Sequence, residues 1–214
     1  MTTRVIEVAP ERFDRWMAGF AERHGTYDAA EEASPGGVIV SARAADGSSL
    51  VATPFAFEPL AVVLVRRGGY AVGLASGGTL TGSKVGRRHV QSRTAAGGWS
   101  QQRFARRRGK QADELVDAVV GHARRILLGD DESPRDGADG IPRALVLGGD
   151  RALVREVLEA SALRALRGLP TRELYDLPDP KREVLETALR RGRALRVALT
   201  EVPGSAEGQT ASLR

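Results

Sequence analysis

The chain has 214 residues, 42% apolar and 28% charged, enough to bury one sizeable core. It contains no cysteine, which excludes disulfides and thiolate metal sites and fits a reducing compartment. Met1 to Glu11 carries no apolar segment of signal-peptide kind, and no apolar run approaches the roughly 18 residues needed to cross a bilayer, so the expectation is a soluble, cytoplasmic protein with no membrane partner.

In chain order, Pro10 suits a first helical position, and Phe13, Trp16, Met17 and Phe20 follow at the spacing of one helical face. This predicts a helix over 10–24 that ends near Gly25. Asp28 to Pro35 reads as a polar link. Short β-type runs then cover 38–43, 50–55, 61–67 and 70–75, separated by Asp46-Gly47, Glu58-Pro59 and the hairpin signal Gly68-Gly69, and a fifth strand runs from Thr79 towards Val90. The period then changes. Leu115, Val116, Val119, Val120, Ala123, Ile126 and Leu127 share one face of a long helix over about 101–128, closed by Arg124, Arg125 and Gly129, with Ser100 as its N-cap candidate. After a turn-rich loop over 130–140 come a buried strand over 143–147, a helix capped by Asp150, a helix starting at Asp179-Pro180 and a strand over 194–200. The predicted fold is α/β: a mixed, largely antiparallel sheet flanked by helices, in a single domain over 1–202 with a flexible tail over 203–214.

Charge is unevenly placed. Between Glu58 and Asp113 there is no acidic residue, and the basic ones there sum to +11, leaving −6 on the rest of the chain. So polarised a chain presents one cationic surface, which favours a polyanionic partner. The segment from Gly82 to Gln111 is the informative part. It carries Lys84, Arg87, Arg88 and Arg93, loses all large apolar residues over Gln91 to Gly98, and continues into a helix with Arg103, Arg106, Arg107, Arg108 and Lys110 near its start. Cations at a helix amino terminus oppose the macrodipole and repel one another, so an external anion is the reason for them, and an extended RNA backbone suits their spread.

Gly97-Gly98-Trp99-Ser100-Gln101-Gln102-Arg103-Phe104-Ala105-Arg106 resembles the catalytic loop and following helix of the eukaryotic and archaeal class-one peptide release factors, in which Gly-Gly-Gln-Ser leads into Arg-Phe-Ala-Arg. Trp99 stands where that family has its glutamine. Gly98-Trp99-Ser100-Gln101 is instead similar to the Vms-type release factors of ribosome quality control, in their actinobacterial branch, as are Arg67-Gly68-Gly69-Tyr70 and the turn Gly77-Gly78 leading to Arg87-Arg88-His89. The resemblance covers Leu64 to Arg108. It implies a release-factor middle-domain fold, related to ribonuclease H, and a monomeric enzyme without cofactor or metal. Its partners would be the large ribosomal subunit, rRNA and peptidyl-tRNA, whose ester it would cleave. Gln101 would be the catalytic residue, with Gln102 as competitor. Gly97 and Gly98 would allow close backbone approach to RNA, Ser100 would cap the helix and Trp99 would stack on a base or pack on the domain.

Two readings from other classes stand beside it. A non-catalytic module binding rRNA or tRNA would use the same basic segment with no chemistry at Gln101. A two-metal nuclease needs clustered carboxylates, and Pro59 to Ala112 contains none. His24, His89 and His122 show no ligand spacing. Gly148-Gly149-Asp150-Arg151 fits either an anion site or a strand-to-helix turn that needs small residues.

Overall fold

The computed structural model describes residues 1–87, 100–129 and 140–202, with only the backbone of 100–110. Its strands and helices are, in order, β1 (Thr2–Val8), α1 (Phe13–His24), β2 (Tyr27–Ser34), β3 (Gly37–Ala44), β4 (Ser49–Thr53), β5 (Leu60–Arg66), β6 (Gly69–Ser76) and β7 (Thr79–Arg87). Then follow α2 (Ser100–Ala123), β8 (Ala144–Gly149), α3 (Arg151–Glu159), β9 (Thr171–Glu173), α4 (Arg182–Arg193) and β10 (Leu195–Glu201). They form two compact units, Met1–Phe57 with Arg193–Arg214, and Glu58–Gly192, a finer division than the one domain expected over 1–202. The α/β class holds, but the strands expected in one sheet lie in two.

In the first unit the sheet order is β1-β10-β4-β3-β2, antiparallel throughout. The apolar stripe of α1 supplies Met17 and Phe20 to a core with Val8, Ala42, Leu50, Ala52, Val197 and Leu199, and Phe13 and Trp16 pack at its margin. Asp28 to Pro35 is not a link. Residues 27–34 form edge strand β2, paired with β3 from Tyr27↔Ala44 to Ser34↔Gly37. Its side chains are exposed along most of its length, so no apolar alternation marks it as a strand. Strand β4 stops at Thr53 rather than Phe55, because Pro54 has no N–H to continue the ladder. At the end of α1, buried His24 places Nδ1 2.8 Å from Asp46 Oδ2. Burial pushes the Asp46 carboxyl up, but hydrogen bonds from His24 and Ser48 outweigh it and hold the group below the usual carboxylate value.

The second unit holds a mixed sheet, order β7-β6-β5-β8-β9, antiparallel as far as β5 and parallel beyond it. β5 and β6 are buried along nearly all their length, as a sheet covered on both faces requires. On one face, Leu115, Val116, Val119, Ala123 and Leu127 meet Val63, Val65, Tyr70, Val72 and Leu74, with Val154 and Val157 of α3 beside them. Each such side chain contributes about 1.5–3 kcal/mol by leaving water. On the other face α4 approaches closely enough that a Cβ on Gly192 would lie 2.5 Å from Val146 Cγ2.

The turns are specific. Gly77 and Gly78 both have positive φ (57° and 77°), as a two-residue turn between Ser76 and Thr79 demands. In the β5–β6 hairpin, Gly69 pairs with Arg66, so the turn residues are Arg67 and Gly68 rather than Gly68-Gly69. Asp150 caps α3, its Oδ1 accepting from the backbone N–H of Ala152 and Leu153. Helix α4 begins at Arg182, later than Asp179-Pro180 suggests.

Candidate nucleic-acid interface

The basic segment leaves the sheet along β7 and returns through α2. Lys84 and Arg87 lie on β7 and are exposed. Arg88, Arg93, Gly97, Gly98 and Trp99 lie outside the described residues, as does His89. Gln101, Gln102, Arg103, Arg106, Arg107, Arg108 and Lys110 belong to the backbone of α2, their side chains outside the description. Ser100 is the first residue of α2, and the position ahead of it also lies outside.

Among residues of α2 with described side chains, Ala112 is the first to pack on the core of the second unit. The twelve residues from Ser100 to Gln111 precede it, about 18 Å of helix at 1.5 Å per residue. No acidic residue occurs in the first turn to complement the helix dipole.

Toward its far end α2 packs on β6, and the turn that continues it reaches β7, where a Cβ on Gly82 would lie 3.5 Å from Ile126 Cγ2. Tyr70, 5% exposed, lies across Gly86, where a Cβ would come within 2.4 Å of the phenol ring. The same ring stacks on His122, with centroids 5.5 Å apart and planes 20° apart. Arg125 Nη2 donates to His122 Nδ1 at 2.9 Å, which leaves the imidazole proton on Nε2. Burial, then the charges of Arg125 and Lys84, hold the His122 pKa below its ordinary value. Arg125 comes from a π-helical turn, Arg124–Leu128, that continues α2.

The eleven cations of the acid-free segment are not equivalent. Arg66 is committed to the fold: it donates to the Leu177 carbonyl at 2.6 Å and lies 3.4 Å from Asp179. Arg67, Lys84 and Arg87 are exposed and make no ion pair with a carboxylate among the described residues. His122 and Arg125, outside the segment, were not among the residues expected at the site. Their i, i+3 spacing was readable, but not their approach to β7.

Elsewhere, the glycines of Gly148-Gly149-Asp150-Arg151 have a packing reason. A Cβ on Gly148 would lie 2.6 Å from the Leu174 carbonyl oxygen and one on Gly149 2.1 Å from that of Val65, while the Asp150 carboxylate occupies the α3 amino terminus. Of the two readings this is the turn that needs small residues. A cavity of about 500 Å³ beside α3 and β9 is floored by Leu145, Leu147 and Val154 and contains none of the expected site residues. Among the described residues no group of three or more His, Asp or Glu side chains is placed to hold a metal ion, and no helix is long and apolar enough to cross a membrane.

An open mixed sheet between helices, with a cation-rich edge strand leading into a basic helix start, is the architecture of a release-factor-like α/β domain. The family model described as acVLRF1, the Actinobacteria/chloroflexi VLRF1 release factor, matches residues 58–198, and the chain belongs to this release-factor family. No curated protein matches it. The matched span contains the whole of the second unit and most of β10.

Proposed function

We propose that the chain is a peptidyl-tRNA hydrolase of the cytoplasmic ribosome, which releases nascent peptide from the large subunit during rescue or quality control, with Gln101 in the catalytic position. The observation that carries this reading is the position of Gln101 in a release-factor chain. It lies one residue into a helix that Leu115, Val116 and Val119 anchor on the sheet, and the arginines follow it in sequence. The rise from Gln101 to Leu115, a wholly buried anchor on the sheet, is about 21 Å.

A helix start that carries arginines and no acidic residue suits insertion into a cleft lined with RNA. Glutamine does not titrate near neutrality, so its amide orients the attacking water and hydrogen-bonds the charge developing on the ester carbonyl. Water oxygen bonds to the carbonyl carbon, the bond to the ribose oxygen breaks, and a water proton ends on that oxygen. Positioning suffices for an activated ester, since proximity and orientation supply most of the acceleration. The arginines and Lys110 hold phosphates, and Gly97, Gly98, Trp99 and Ser100 set where Gln101 emerges.

The test is release of labelled peptide from isolated large subunits carrying peptidyl-tRNA. Release that depends on the added chain supports hydrolysis. Binding to the same subunits with no release would instead favour a non-catalytic RNA-binding role.

A further inference from the structure

We propose that Lys84, His122 and Arg125 form a second phosphate-binding site, which holds a segment of RNA backbone remote from the ester that Gln101 addresses. This rests on the ribosomal reading above and extends it to residues on other elements.

Two cations from different parts of the chain converge here. Lys84 lies on β7 between Gly82, which faces Ile126 of the π-helical turn, and Gly86, which faces Tyr70 beneath His122, while Arg125 comes from that turn and donates to His122. Neither makes an ion pair with a carboxylate among the described residues; the one hydrogen bond of Arg125 there goes to the imidazole. Among the described residues no carboxylate offsets these two cations, whose charges, after burial as the larger cause, hold the His122 pKa down. An external anion offsets them. With Nδ1 accepting from Arg125, the Nε2–H of His122 remains a donor, so the cluster offers two charges and a neutral N–H to one phosphate.

The backbone is arranged for access. Gly82, Lys84 and Gly86 share one face of β7, so along this stretch that face carries a single side chain, the lysine. Tyr70 fills the space over Gly86 and supports the ring of His122 from beneath. The π-helical turn is itself uncommon, and such turns occur frequently at functional sites.

Distance separates this site from the catalytic one. From Gln101 to His122 the helix rises about 32 Å, so a phosphate held here belongs to other nucleotides than the one carrying the ester. The backbone is that of rRNA or of the tRNA body, and both present the same phosphodiester.

The test compares the wild-type chain with the double variant Lys84→Ala, Arg125→Ala in binding to isolated large subunits without tRNA and, separately, to deacylated tRNA, each over a range of KCl concentrations. All three positions are at least partly exposed, and the charge-preserving pair Lys84→Arg, Arg125→Lys controls for folding. The expected result is weaker binding and a salt slope shallower by about 0.7–0.9 when one phosphate is no longer neutralised, with the control near wild type. Weaker binding to empty subunits identifies rRNA, and weaker binding to tRNA alone identifies tRNA. Slopes unchanged in both arms overturn the proposal. Peptide release by the wild-type chain is measured in parallel, and its absence counts against the catalytic reading alone, because the slope is read from binding.

Discussion

Tyr70 and Gly86 are cross-strand partners on β6 and β7, and the phenol ring of one occupies the place where the other would carry a Cβ. The contact ties down β7 one residue before its end at Arg87, where the basic segment leaves the sheet. It also positions His122, which stacks on the same ring.

A methyl group at Gly86 must therefore displace either the tyrosine or the strand. Gly86→Ala is expected to destabilise the chain by about 1–3 kcal/mol, in the range for overpacking a well-filled core. Urea unfolding measures this as a lower midpoint at unchanged slope. A wild-type midpoint would mean that Tyr70 is free to move away.

His122 gives a pH dependence of defined sign. Its folded-state pKa lies below the ordinary histidine value, through burial and then through Arg125 and Lys84. The unfolded chain thus takes up a proton at higher pH than the folded one, so stability is complete above about pH 6.5 and declines as pH falls from there towards the folded value. Thermal unfolding of wild type and His122→Asn between pH 5 and 8 should show a shallower decline for the variant. Parallel curves would remove His122 from the effect.

Much of the second unit was legible because its signals are local. The helical period from Leu115 to Leu127, the capping Asp150 and the Gly77-Gly78 turn each declare themselves within a few residues. Strand β1 escapes a sequence reading because its partner is β10, at the opposite end of the chain, and Val5 faces away from the core, 66% exposed. The three-residue β9 is too short for any period to show. Division of the strands between two sheets has no local signature, since Glu58-Pro59 punctuates the chain no more strongly than Asp46-Gly47. At the interface, the cation-rich strand and helix start were readable as a run. Joining Lys84 to His122 and Arg125 needed the packing of α2 on β6 and of its π-helical continuation on β7, which no spacing encodes.

The arginines at the start of α2 give a prediction separate from the Lys84 cluster. Arg106→Glu with Arg107→Glu should weaken binding to large subunits and flatten its dependence on salt, by about 0.7–0.9 in slope for each phosphate that the variant no longer neutralises. An unchanged slope would show that these two residues do not meet phosphate.

The catalytic assignment is tested most directly by peptide release from isolated large subunits, with wild type, Gln101→Ala and Gln102→Ala compared at protein concentrations that saturate binding. The predicted result is that Gln101→Ala binds nearly as wild type and releases no peptide, while Gln102→Ala still releases it. Release by Gln101→Ala at the wild-type rate would contradict a catalytic role for Gln101.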